Sequence, residues 1–305
     1  MPVPPSDPPI VFATSLVPRR ADGVQNAAVA SWLSHGARVI SVNVPDEIAA
    51  LTQQFPKVEF VTAERSGQRI AGRPVPFIRD LAAAMAARMG TAPFACLINS
   101  DIVLRPTCDL AATVTAQIGD GLILLPRVDL PDLAAVASFA PTGQEAFSVG
   151  YDGAFLSRAM LAEIPESLFC IGMPFWDYWL PALALIKDRP LKALASPVAL
   201  HVAHDTRWDG TVFLFFHALL NDVLSACRAV QASQNSAALD LTLDALSHVY
   251  ANLFEHGTKP DAATGAVDPA RTQALADFYD RVQEVIVHHI KTRAIAVTVP
   301  AAMPQ

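Results

Sequence analysis

In Phe94-Ala95-Cys96-Leu97-Ile98-Asn99-Ser100-Asp101-Ile102-Val103-Leu104, an apolar run breaks into three polar residues and then resumes. Phe94 to Ile98 has the length and flanks of a strand buried on both faces. In an open α/β sheet, ligands sit outside the carboxyl ends of the strands. A carboxylate placed there can hold a divalent cation and, through it, a diphosphate. Asn99 and Asp101 are also good turn formers, and a plain turn or cap is the other reading of the same residues.

Upstream, short apolar strands alternate with helical segments. Ile10–Leu16 reads as a first buried strand ending in Thr14 and Ser15, with Pro18, Arg19 and Arg20 just beyond. Gln25–His35 reads as an amphipathic helix with Ala28, Trp32 and Leu33 on one side, stopped by Gly36. Ala37–Asn43 is a second strand, Glu47–Phe55 a short helix and Val58–Val61 a third strand. A polar loop, Glu64–Arg73, leads into an alanine-rich helix over Pro76–Met89, ended by Gly90. Leu110–Ile118 reads as a further helix and Gly121–Leu125 as a strand stopped by Pro126. This alternation predicts an α/β fold with a doubly wound, mostly parallel sheet. The half carries neither G-x-G-x-x-G nor G-x-x-x-x-G-K-[ST], so dinucleotide and P-loop binding are unsupported.

From Ser148 the texture changes. Gly150–Leu156 reads as a strand containing Asp152, and Ser157–Glu163 as a short helix. Ile171–Pro181 (IGMPFWDYWLP) then surrounds a single acid, Asp177, with aromatic rings. Trp176 and Trp179, at helical spacing, are expected in the core; an acid in that setting tends to be paired or functional. Pro197–Val202 is a last short strand, carrying His201 and leading to His204 and Asp205. Two histidines three apart share a face on a helix but diverge at a strand end, so one of them is expected to reach a given metal. Thr211–His289 reads as mostly helical with a break over Gly257–Pro269, and the tail Thr298–Gln305 as loose. The expected organisation is a leader (1–9), a catalytic α/β domain (10–210) and a helical C-terminal region (211–305), which could carry a homo-oligomer contact.

The chain has 305 residues, 52% of them apolar and 17% charged, which is ample for a sizeable core. A net charge of -7 argues against nucleic-acid binding but not against a phosphate ligand neutralised by a metal. Cys96, Cys108, Cys170 and Cys227 have no C-x-x-C spacing and read as buried free thiols. Val212–Leu220 is too short to span a membrane and contains His217. Met1–Pro9 lacks the charged and apolar regions of a signal peptide. The expectation is a cytoplasmic protein without a transmembrane segment, with peripheral membrane association through partners left open.

Taken together, the polar-ended first strand, Asn99-Ser100-Asp101, Gly150-Tyr151-Asp152, Asp177 among its aromatics and the late histidines resemble a GT-A-type nucleotide-sugar glycosyltransferase, of the family 2 kind, over roughly residues 10–210. Asn99-Ser100-Asp101 matches that family's D-x-D motif at its last position and departs from it at Asn99. The resemblance implies a nucleotide-sugar donor, a carbohydrate or other hydroxyl acceptor, and Mn2+ or Mg2+ held by Asp101 with His204, and His201 behind it. It also implies that Thr14, Ser15, Arg19, Arg73 and Asn99 line the donor site. Asp177 would be the general base of an inverting reaction, and Asp152 would contact donor sugar or acceptor. The chemistry is coherent: a metal and a basic side chain stabilise the leaving diphosphate, and a carboxylate activates an acceptor hydroxyl.

Three rivals share parts of this pattern. A nucleotidyltransferase usually carries a glycine-rich loop near its start, and Val11–Ala21 has no glycine. A metal-dependent phosphoesterase using Asp101, His201 and His204 needs more carboxylates or histidines at strand ends than this chain offers. An inactive sugar- or partner-binding scaffold would account for Asn99.

Overall fold

The structure, a computed structural model, describes residues 10–19, 23–106, 109–148, 150–204, 211–234, 247–248, 250–252, 255 and 268–299. The described residues fall into two compact units, one within Met1–Thr206 and Arg293–Gln305, the other within Arg207–Thr292.

The first unit is built on an eight-stranded sheet. Its early strands are β1 (Val11–Thr14), β2 (Arg38–Asn43), β3 (Glu59–Thr62) and β4 (Phe94–Ile98). They are followed by β6 (Leu122–Leu124), β8 (Gly153–Ser157), β9 (Leu191–Leu194) and β11 (Ile295–Val297). The order from one edge is β3-β2-β1-β4-β8-β6-β9-β11, and every pairing is parallel except those of β8, which runs against β4 and β6. All residues of β1, β4 and β8 are buried, as unbroken apolar runs in a covered sheet must be.

Helices α1 (Val24–Ser34), α2 (Pro45–Gln54), α3 (Gln68–Ala71) and α4 (Ile78–Arg88) lie between the early strands in sequence. They are followed by α5 (Leu110–Ile118), α6 (Leu133–Ser138), α7 (Arg158–Glu163) and α8 (Trp176–Ile186). The Asp109, Asp132 and Ser157 side chains accept the N–H groups of Ala112, Ala135 and Met160, capping α5, α6 and α7, each worth about 1 kcal/mol.

A second, three-stranded sheet was not foreseen: β5 (Ile102–Leu104), β10 (Ala199–Val202) and β7 (Arg127–Leu130), in the order β5-β10-β7. Leu104 to Ile102 run antiparallel to Ala199 to His201, while Arg127 to Leu130 run parallel to Ala199 to Val202. The chain thus leaves β4, turns through Asn99-Ser100-Asp101 and enters a different sheet. Trp32 on α1 fixes that exit: its indole N–H donates to the Ile102 carbonyl at 2.9 Å from a fully buried position.

Several boundaries differ from the expectation. The polar loop Glu64–Arg73 contains the short α3, and β9 and α6 join the list of elements. The region expected to be helical from 211 onward returns to the sheet as β11, which pairs with β9 in parallel. Of the tail expected to be loose, Val299 is held: it is buried, its N–H donates to Ser196 Oγ at 2.9 Å, and that hydroxyl donates to its carbonyl at 3.1 Å, while residues 300–305 lie outside the described residues. Cys96 and Cys170 are buried free thiols, whereas Cys227 is half-buried; Cys108 lies outside the described residues.

The second unit contains α9 (Thr211–Gln234) and α10 (Pro269–Arg293, whose last residue belongs to the first unit). Its centre is aromatic, with Tyr250 stacked on Phe278 at 5.5 Å and Phe216 edge-on to Tyr279 at 5.0 Å. No helix among the described residues is long and apolar enough to cross a membrane.

Candidate active site

Asp101, His201 and His204 meet. One potential ligand atom from each, all within 4.8 Å of one another, forms the cluster. His201 Nε2 stands 4.0 Å and His204 Nε2 3.6 Å from Asp101 Oδ2. The small sheet makes this happen. Ile102, next to Asp101, pairs with His201 across β5 and β10. Where one of the two histidines was expected to reach a given metal, both approach Asp101: β10 ends at Val202, beyond it the chain is no longer held to strand geometry, and the two imidazoles lie edge-to-face to each other at 5.1 Å. The cluster opens outward, since the His201 side chain is 7% exposed, Asp101 15% and His204 48%. Asp205 and Arg20 lie outside the described residues.

Behind the triad stands a group of residues that sequence reasoning missed. Asp129 on β7 pairs with His201 in register, and its Oδ1 lies 2.8 Å from His201 Nδ1. Arg127, two residues earlier on the same face, donates from Nε to that oxygen at 2.9 Å, and the Ser148 hydroxyl donates to the other oxygen. Burial opposes the Asp129 charge, but Ser148, His201 and Arg127 outweigh it and hold the carboxyl below its usual range. Burial likewise pushes the His201 imidazole down, against the pull of Asp101. Period-two alternation in Arg127-Val128-Asp129-Leu130, just after Pro126, was the signal available for this strand.

Arg127 also forms an ion pair through Nη1 with Asp152 Oδ2. The other Asp152 oxygen accepts the Asn99 amide N–H at 2.9 Å, and the two backbones are joined by Asn99 N–H to Asp152 O at 2.8 Å. Asn99 Oδ1 is buried and without a hydrogen-bond partner among the described residues.

Asp177 sits in the first turn of α8, half-buried, and accepts the Tyr151 N–H at 3.2 Å. Burial raises its pKa to about 6, against the Tyr151 N–H and the Arg127 charge, which favour the ionised form. Two backbone features aim it. Phe175, which precedes the helix, holds φ 71°, a left-handed value that costs a non-glycine residue about 1–2 kcal/mol. Gly150 holds φ 107°, and a Cβ there would stand 3.0 Å from Asp177 Oδ2. Trp176 and Trp179 are core residues, each 2% exposed, with Trp179 stacked on Phe169 at 4.8 Å.

The remaining expected positions are more scattered. Thr14 and Ser15 lie at the carboxyl end of β1, which pairs with β4 through Ala13 and Leu97, so Ser15 and Asn99 share one sheet edge. Thr14 Oγ1 is buried without a partner among the described residues, and Ser15 Oγ lies 3.4 Å from Asn43 Nδ2. Buried Ser41 and Gln25 hold the loop that follows, through Leu16 N–H and both polar atoms of the Val17 backbone. Arg19 is exposed on that loop. Arg73 is exposed after Gly72, and no hydrogen bond or ion pair among the described residues joins it to the triad.

The fold is α/β, a mostly parallel sheet flanked by helices, and glycosyltransferases and nucleotidyltransferases are among its structural neighbours. No protein-family model matches the chain, and neither does any curated protein. One similar solved structure is the mannosyltransferase PcManGT from Pyrobaculum calidifontis, in complex with GDP-Man and Mn2+. It is 12% identical at a TM-score of 0.38, with 96% of this chain and 88% of that one covered. Another is 4-diphosphocytidyl-2C-methyl-D-erythritol synthase from Anaerococcus prevotii, 11% identical, TM-score 0.36, covering 70% of this chain and 97% of that one. HddC from Yersinia pseudotuberculosis is 13% identical at a TM-score of 0.35, covering 70% and 98% respectively.

Proposed function

We propose that the chain is a metal-assisted glycosyltransferase that moves a sugar from a nucleoside-diphosphate donor to an acceptor hydroxyl with inversion. The observation that carries this reading is the convergence of Asp101, His201 and His204, joined through Asp129, Arg127 and Asp152 to the loop that holds Asp177. One carboxylate and two imidazoles, with His201 Nδ1 already engaged, form a donor set that fits a divalent cation. Two nitrogen ligands favour a first-row ion such as Mn2+ over Mg2+, which takes oxygen. A cation held there supplies positive charge to a leaving diphosphate.

The protein's own residues do the rest. Asp177, with its pKa near 6, is ionised at neutral pH yet basic enough to take a proton from an acceptor hydroxyl at a carboxylate oxygen. Gly150 and Phe175 hold that carboxylate in place, and the buried rings around it limit competing water. Thr14, Ser15 and Asn99, at one sheet edge, are assigned to the donor nucleotide, with Arg19 and Arg73 at its rim. Asp152 orients Asn99 and faces the donor sugar. The Asn99 amide is tied to Asp152 at 2.9 Å, so an asparagine at this position serves to hold Asp152 in the cleft.

Thermal shift with a panel of nucleoside diphosphates, with and without Mn2+, tests the proposal. The expected result is a nucleotide-dependent rise in Tm that requires Mn2+ and disappears in Asp101→Asn. Shifts that are indifferent to Mn2+ and to that substitution would remove the metal-assisted mechanism.

A further inference from the structure

Two acids compete for the single proton of a neutral His201 imidazole. Asp129 Oδ1 stands 2.8 Å from Nδ1, and Asp101 Oδ2 stands 4.0 Å from Nε2. If the proton sat on Nε2, it would point at Asp101, and the nitrogen facing the triad would have no lone pair to offer. With the proton on Nδ1, donated to Asp129, Nε2 is a ligand. Asp129 does not drift from this task, because Arg127 and Ser148 each hold one of its oxygens and Arg127 is itself anchored on Asp152. The cross-strand register of β7 and β10 fixes the same pair through the backbone.

We infer that Asp129, braced by Arg127 and Ser148, is a positioning residue that selects the Nδ1–H tautomer of His201 and thereby sets the affinity of the Asp101, His201 and His204 cluster for a divalent cation. The role rests on the metal-assisted reading above. A partner that orients the far nitrogen of a ligating histidine typically accounts for about 10–100-fold in metal affinity. Arg127 adds a second consequence: the carboxylate that orients His201 and the one that orients Asn99 are held by one guanidinium, so the two halves of the cleft are positioned together.

The test uses the full-length, nucleotide-free protein and Mn2+ as the probe, with binding read by electron paramagnetic resonance of the free ion. Asp129→Leu keeps a similar shape and removes both oxygens; its Mn2+ affinity should fall about 10–100-fold. Asp129→Asn keeps an oxygen where His201 and Arg127 both donate, and should recover most of that loss. A second, metal-free readout is the 15N shifts of the His201 ring at alkaline pH. They should report Nδ1–H in the parent and in Asp129→Asn, and Nε2–H in Asp129→Leu. Parent-like Mn2+ affinity in Asp129→Leu, or an Nε2–H tautomer in the parent, overturns the inference. A parent that takes up no Mn2+ overturns the metal reading and this role with it, an outcome distinct from a loss confined to Asp129→Leu. If Asp129→Leu does not fold, the parent's ring shifts decide alone.

Discussion

A carboxylate at position 99 would face Asp152 Oδ1 across the 2.9 Å now bridged by the Asn99 amide. Like charges that close cannot both ionise without cost, and one of the two pKa values would rise. Asn99→Asp, which places acids at both 99 and 101, should therefore lose about 1–3 kcal/mol at neutral pH. Its Tm deficit against the parent should shrink as pH falls through the raised pKa, and a melting series across pH checks this. Asp177 carries the opposite lesson about burial. Its folded pKa near 6 exceeds the ordinary value of about 3.9, so the native state binds the extra proton between those limits and stability falls as pH rises through them. Asp177→Asn should consequently be more stable than the parent above pH 6, by on the order of 3 kcal/mol, with the gap closing below pH 4. The same substitution should slow transfer about 10²–10⁴-fold. A variant that transferred at the parental rate would strip Asp177 of its role as base.

The small sheet β5-β10-β7 is the element that makes a site out of distant residues, and it was the least legible part of the sequence. The parallel core could be read because its strands are buried on both faces and announce themselves as apolar runs, as in Phe94 to Ile98. Ile102-Val103-Leu104 and Arg127-Val128-Asp129-Leu130 are three and four residues long. At that length an apolar or alternating pattern suggests a strand but does not say which other strand it pairs with. Asp101, His201, His204 and Asp177 could still be picked out, because acids and imidazoles among apolar residues are conspicuous wherever they lie. Arg127 and Asp129 could not, because charged residues on a short segment look like surface until their partners are known. Two hydrogen bonds attach the sheet to α1: the Trp32 indole donates to the Ile102 carbonyl, and the Ser31 hydroxyl accepts the Leu104 N–H, each at 2.9 Å. Trp32→Phe removes the donor to Ile102 and leaves a buried carbonyl unpaired, which should cost about 1–3 kcal/mol. Urea denaturation checks the cost, and Mn2+ affinity should drop with it as Asp101 loses its anchorage.

At the scale of the whole molecule, the chain leaves the first unit at Thr206 and comes back to it at Arg293, 87 positions later by the difference of those numbers, just ahead of β11. Ile295-Ala296-Val297 carries no pattern of its own, and its pairing partner, Leu191 to Leu194, lies far away in sequence, so no local reading could find it. Burial of Val297 and Val299 and the two hydrogen bonds to Ser196 clamp the returning end. The aromatic centre of the helical unit is composed of its own residues, Phe216, Tyr250, Phe278 and Tyr279. A segment with its own aromatic nucleus, followed by a strand that rejoins the first sheet, is an insertion rather than a tail. Such a block can be lengthened, shortened or exchanged while the strands that flank it in sequence, β10 and β11, keep their register.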